Sequence, residues 1–249
     1  MMAEDLPLVE FSFAYQPIVD TETGGLFAYE ALVRDRAGQS AAHVLSQVPP
    51  EQLYQFDRAA RIQALELAAR LGLKTRLSLN FLPRSLDRFA DALSATLEAA
   101  TKARMPLADV ILEVTEGEAV HDPGEFAARM NEYRAQGVRF AIDDFGAGYA
   151  GLGLLAEFQP DVVKLDMHLV RAIDSKGPRQ AIVRAVIQAC DDLGIDVVAE
   201  GIETEPEYHW FRRAGVHLFQ GYYFARPAFE SLSSWGGMDV EHTGGLLAR

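Results

Sequence analysis

The chain has 249 residues, 36 acidic and 23 basic side chains, a formal net charge of -13, and 49% hydrophobic against 24% charged residues. That composition suits a folded globular protein and excludes wholesale disorder, while the excess of acid argues against electrostatic wrapping of a DNA or RNA polymer. The single cysteine, Cys190, excludes an internal disulfide, and no apolar run approaches the roughly 18 residues of a membrane helix, so membrane insertion is not expected.

The N-terminus MMAEDLPLVE lacks a basic segment followed by an apolar one, which makes a cytoplasmic location the expectation. Residues 1–7 read as an extension. Next, VEFSFAYQPIVD and GLFAYEALVR flank TETGG and predict two antiparallel strands joined by a hairpin. Leu53, Phe56, Ala60, Ala64, Leu67 and Leu71 recur at three and four residues, the stripe of a helix packed on a core. TRLSLN (75–80) and DVILEV (109–114) predict strands, and a second helix carries Phe126, Met130 and Tyr133 behind the start signal DPGE (122–125). VRFAID (138–143), DVVKL (161–165), IDVVAE (195–200) and VHLFQ (216–220) complete the strands, and most are apolar on both faces, as in a parallel sheet covered on each side. Cys190 falls in the helix-like AIVRAVIQAC and reads as core. TEPE (204–207) is another helix start, and Gly72, Gly137, Gly194 and Gly215 follow helices, where a left-handed stop is easiest for glycine.

Six strands added to the hairpin predict an α/β fold, a TIM-like (β/α)8 barrel over residues 8–230 with one antiparallel strand at the seam; an open doubly wound sheet is the alternative. Residues 231–249 lose the pattern and are expected to form a loose C-terminal tail.

The apolar runs finish on groups that bind cations or protons: Asn80, Glu113, Asp143 with Asp144, Lys164, Glu200 and Gln220. A barrel gathers the C-terminal ends of its strands on one face, so these residues and Glu30 from the hairpin are expected to converge. Any one of them alone is more simply a helix cap or a solvated residue. Five carboxylates crowded together, however, repel and are costly to desolvate, and a bound cation relieves both problems. An all-oxygen set favours Mg2+ or Mn2+ over Zn2+, and the six histidines show no paired ligand spacing. In AIDDFGAGY the two aspartates would point to opposite faces of an ideal strand. The glycines beyond them allow a turn, after which the pair can serve two ions, an arrangement suited to phosphoester hydrolysis.

YEALVR (29–34), NFLP (80–83), EVTE (113–116), DDFGAGY (143–149), KLD (164–166), AEGIE (199–203) and QGYYFARP (220–227) resemble, in order and spacing, the motifs of EAL domains, cyclic di-GMP phosphodiesterases with a barrel of this kind. The resemblance implies a two-metal centre of Mg2+ or Mn2+ held by Glu30, Asn80, Glu113, Asp143 and Asp144, with Glu200 either a further ligand or a general base. It implies that Lys164 contacts the attacking water or the phosphate, that Gln16, Arg34, Gln220 and Asp166 contact substrate, and that Glu116 steadies the loop after the aspartate pair. Leu82, Ala150 and Gly151 depart from residues frequent in the family. The implied reaction is in-line attack of metal-bound hydroxide on one phosphodiester of cyclic di-GMP, giving linear pGpG. The implied assembly is a homodimer. No GGDEF-like synthase segment is seen, so regulation is expected to come from a separate sensor or a longer parent protein. The rival reading is a catalytically silent cyclic di-GMP receptor acting through a protein partner.

Overall fold

The computed structural model describes residues 9–88, 92–115, 123–148, 151–233 and 235. It opens with the expected hairpin, in which β1 (Ser12–Asp20) pairs antiparallel with β2 (Gly25–Arg34) over its whole length. The Asp20 carboxylate accepts the Glu22 and Thr23 amides and so closes the turn. Strands β3 (Arg76–Asn80), β4 (Val110–Thr115), β5 (Arg139–Phe145), β6 (Val162–Leu165), β7 (Asp196–Ala199) and β8 (Leu218–Phe219) then add in parallel, each beside its predecessor. Finally β8 pairs antiparallel with Val19 and Asp20 of β1. The sheet is therefore closed, a TIM-like barrel whose one reversed strand is β1, and the open-sheet alternative is excluded.

The helices that cover the sheet are α1 (Ala41–Leu45), α2 (Leu53–Arg70), α3 (Ser85–Arg88), α4 (Ser94–Lys102), α5 (Pro123–Arg134), α6 (Gly151–Glu157), α7 (Met167–Val170), α8 (Gly177–Leu193) and α9 (Glu205–Arg213). Among the described residues, the TEPE start and the glycine stops act where expected. Thr204 and Glu207 form a reciprocal capping box at α9, and Gly194 ends α8 at φ 70°, a left-handed conformation that costs glycine little.

Two apolar regions are separate. The larger lies between the barrel wall and the helices and includes Phe56, Leu65, Phe140, Phe158, Cys190 and Phe211. The smaller joins Ile18, Phe27, Ala28, Ile111, Ala141, Val162, Val198 and Leu218. Side chains two residues apart on a strand share a face. The positions two residues beyond Ala28, Ile111, Ala141, Val162, Val198 and Leu218 are Glu30, Glu113, Asp143, Lys164, Glu200 and Gln220. On the reversed strand β1 the corresponding step from Ile18 runs backwards, to Gln16. One apolar layer thus supports one polar layer directly above it.

Three expectations change. The strand expected over 216–220 contracts to Leu218–Phe219, because only these two residues pair with β7 on one side and β1 on the other. A short ninth strand, β9 (Ala228–Phe229), pairs through Phe229 with Ala14, on the part of the β1 edge that β8 leaves open. The chain also stays on the barrel past residue 230: Leu232 bridges Tyr15, Tyr29 Oη donates to the Ser233 carbonyl at 2.5 Å, and Trp235 packs on the main core. Unpaired backbone groups along β1 attract a partner segment, which the fading hydrophobic pattern did not reveal. Glu116, Asp122 and Ala150 lie outside the described residues.

Candidate functional site

Lys164 stands at the centre of the polar layer, with 1% of its side chain exposed. Its Nζ lies 2.7 Å from Glu200 Oε1, 2.9 Å from both Glu113 Oε1 and Asp143 Oδ1, and 3.4 Å from Glu30 Oε2. Burial alone would lower the lysine pKa, but the surrounding carboxylates outweigh it and hold the pKa well above the ordinary value. The positive group that sequence reasoning required among the acids is thus in part the protein's own ammonium.

One ammonium does not balance the acids around it. Burial first, with the charges of Glu30 and Asp143 behind it, pushes Glu113 up to about 8. Burial likewise raises Glu200 well above the usual carboxylate range, with Asp143, Glu30 and Glu113 adding to the effect. Asp144 rises to about 6 through burial and then the charges of Asp143 and Asp166. Ser78 Oγ donates to Glu113 Oε1 at 2.6 Å, while Glu113 Oε2 and Gln220 Oε1 are buried with no hydrogen-bond partner among the described residues. Unused oxygen acceptors among surplus negative charge fit a hard divalent cation.

Among the described residues the acids form two groups able to hold an ion, Glu30–Glu113–Asp143 and Asp143–Asp144–Glu200, each with ligand oxygens within 4.8 Å of one another. Asp143 belongs to both. The backbone makes this sharing possible: β5 runs through to Phe145, but its register with β6 slips between Ile142 and Phe145, and Asp144 takes φ 52°. The bulge turns Asp144 to the side on which Asp143 already points. A non-glycine residue held there is a strained conformation of the kind that persists where surrounding structure enforces it.

A cavity of about 290 Å3 opens above the acids, lined by Gln16, Glu30, Asp143, Asp144, Lys164, Asp166, Glu200 and Gln220 among others. Gln220 Nε2 donates to Glu30 Oε2 at 2.6 Å and to Gln16 Oε1 at 3.2 Å, and Gln16 Nε2 donates to the Ala225 carbonyl. Asp166 caps α7 by accepting the His168 amide at 2.8 Å. Asn80 and Arg34 are not in this cavity. Asn80 sits opposite Glu113 in the β3–β4 register, but is exposed and borders a neighbouring, mainly apolar cavity of about 390 Å3. Arg34 ends β2 and donates to the Val33 carbonyl. Glu116 lies outside the described residues.

Sequence reasoning missed Ser78, Met167, Gly201, Glu203, Gly221 and Tyr222. Ser78 was detectable, as a polar residue two before Asn80 on an otherwise apolar strand. Gly221 was not, because its requirement is set by a distant loop: Ile202 N–H donates to the Gln220 carbonyl and Tyr223 N–H to the Ile202 carbonyl, so the loops after β7 and β8 are in backbone contact. A Cβ at Gly221, where φ is +157°, would lie 2.1 Å from the Ile202 carbonyl oxygen. Gly221→Ala is therefore expected to cost about 2–4 kcal/mol of stability through overpacking and backbone strain. Urea denaturation measures this, and an unchanged midpoint would show that the two loops separate freely.

The EAL domain family model matches residues 2–227. The blue light- and temperature-regulated antirepressor BluF of Escherichia coli (strain K12) is 35% identical over 229 residues, 92% of this chain and 57% of that protein. The cyclic di-GMP phosphodiesterase RocR of Pseudomonas aeruginosa is 30% identical over 232 residues, covering 88% and 57%. The chain thus spans a little over half the length of these curated relatives. Among solved structures, a standalone versatile EAL protein from Vibrio cholerae O395 in its c-di-GMP-bound form superposes with a TM-score of 0.86 at 43% identity, over 92% of this chain and 96% of that one. Klebsiella pneumoniae BlrP1 in a manganese/cy-diGMP complex gives a TM-score of 0.84 at 40% identity, over 90% and 58%. Among the described residues no helix is long and apolar enough to cross a membrane.

Proposed function

The chain belongs to the EAL domain family, and from that premise we propose that it hydrolyses cyclic di-GMP to linear 5′-pGpG with the help of two divalent cations, Mg2+ or Mn2+. The observation that carries this reading is the pair of acidic groups sharing Asp143, in a layer whose charge exceeds what Lys164 neutralises. Glu30, Asn80, Glu113, Asp143, Asp144 and Glu200 would hold the ions. Bound there, divalent cations supply Lewis acidity toward phosphoryl oxygens and a water acidic enough to react near neutral pH.

The chain's own residues do the rest. The Lys164 ammonium, held by four carboxylates, presents fixed positive charge at the cavity floor, where a phosphodiester gains negative charge as it reacts. Gln220 donates to the Glu30 carboxylate and orients it, Gln16 accepts from Gln220 in turn, and both side chains line the cavity where substrate would sit. Arg34, at the end of β2, and Asp166, at the head of α7, are the further substrate contacts. Glu200, just past β7 and 2.7 Å from Lys164 Nζ, is placed to be either a ligand or a general base.

The test is to incubate the protein with cyclic di-GMP and separate the products. Hydrolysis to pGpG is expected with Mg2+ or Mn2+, to be suppressed by Ca2+, and to vanish in excess chelator. Ca2+ prefers bonds of about 2.3–2.6 Å and more ligands, so it fills such a site without holding the reacting geometry. Full activity in chelator would remove the metal reading. The similarity to an antirepressor favours one other reading, a cyclic di-GMP receptor acting through a protein partner. Nucleotide binding with no product under any of these metals would establish it.

A further inference from the structure

Arg61, on α2, is among the largest side chains withdrawn from solvent, and it is not one of the groups around Lys164. Its Nη1 donates to the Asp57 carboxylate one turn earlier, its Nε to Thr96 Oγ1 on α4 at 3.0 Å, and its Nη2 to the Ala92 carbonyl at 3.3 Å. The guanidinium carbon lies 5.0 Å from the centre of the Phe81 ring. The Phe81 N–H in turn donates to the Glu113 carbonyl at 2.8 Å. Phe81, the residue after Asn80, is therefore held from two sides, by β4 through the Glu113 carbonyl and by α2 through Arg61 against its ring. Asp57, Arg61, Asn80 and Leu82 border one cavity.

A buried ion pair is a poor source of net stability, because desolvation offsets the attraction. Its effect is geometric, since a planar guanidinium with three fixed acceptors and a ring beneath it permits few arrangements. We propose that Asp57 and Arg61 are positioning residues for Asn80: the pair fixes Phe81, the next residue along the chain, and through it the direction in which the Asn80 carboxamide offers its oxygen to a divalent cation. The proposal rests on the reading of Asn80 as a ligand. It gives the outer helix ring a share in metal affinity without contact with the metal, as partners of ligating side chains commonly have.

The test is a double-mutant cycle on metal-free protein, read as Mn2+ affinity by calorimetry with circular dichroism as the folding control. Asp57→Asn keeps the shape of the side chain and removes its charge. It is expected to weaken Mn2+ binding about tenfold when Asn80 is present, and to have almost no effect in an Asn80→Ala background. Equal losses in both backgrounds would make the pair a general support of the fold and overturn the proposal, as would no loss in either. Unchanged Mn2+ affinity in Asn80→Ala alone would remove the ligand reading itself, a distinct failure visible in that single variant. Should Asp57→Asn not fold, Thr96→Val removes only the hydroxyl that accepts from Arg61, and the same cycle is expected to show the same dependence on Asn80 with a smaller loss.

Discussion

Asp143→Asn is expected to lower cyclic di-GMP turnover by about 10³-fold or more, at least the loss that follows removal of one preorganised electrostatic group from a reacting centre. It is expected at the same time to weaken the binding of both metal ions. The double effect comes from its place in the structure. Asp143 contributes to both acidic groups and its Oδ1 holds Lys164 at 2.9 Å, so one substitution opens two ion sites and loosens the ammonium between them. The asparagine keeps the size of the side chain and leaves the bulge at Asp144 in place, which separates loss of charge from loss of shape. Asp144→Asn, by contrast, touches one group only and is expected to leave one ion bound. Titration with Mn2+, read as stoichiometry, beside measurement of pGpG formation distinguishes the two variants. Two ions bound by Asp143→Asn with wild-type affinity would refute the shared-ligand reading.

The barrel was legible because its strands and helices repeat two different periods, and because a parallel sheet covered on both faces demands apolar runs such as DVVKL and IDVVAE. The polar layer was legible for the same reason, since Glu113, Asp143 and Lys164 each stand two residues past an interior apolar residue. Contacts between segments remote in sequence were not legible. The β9 pairing to Ala14, the meeting of Gly221 with Ile202, and the packing of Arg61 on the Phe81 ring leave no periodic trace, because each is fixed by a neighbour that only the folded barrel supplies. The same holds for the charge balance. KLD shows a lysine, but not that four carboxylates surround it. For Asn80 and Arg34 the motif pattern says more than the geometry, which places Asn80 opposite Glu113 in the β3–β4 register and Arg34 at the end of β2.

Lys164→Met tests that charge balance as a matter of stability. Removing one partner from a buried ionic cluster typically costs about 3–5 kcal/mol, because the charges left behind are neither solvated nor paired. Metal-free Lys164→Met is expected to lose that much near pH 8. The loss should shrink toward pH 5, and the sign follows from the carboxylates. Glu113, raised to about 8, and Glu200, also raised, hold protons in the folded state that they release when unfolded. Stability from such groups is fully present below the pKa of a free glutamate and is lost as pH rises through the folded value. The metal-free wild type should therefore weaken between about pH 5 and about pH 8. The mutant should weaken more steeply, because its ionised acids lack the ammonium that wild type retains throughout this range. Divalent cations supply the missing charge, so Mn2+ should narrow the gap between the two proteins most at the upper end. Urea midpoints in chelator and in Mn2+, taken across this range, decide the matter. Titrations common to both proteins cancel in the difference, and a gap that neither widens with pH nor narrows with Mn2+ would mean that the carboxylates do not depend on Lys164 for their charge.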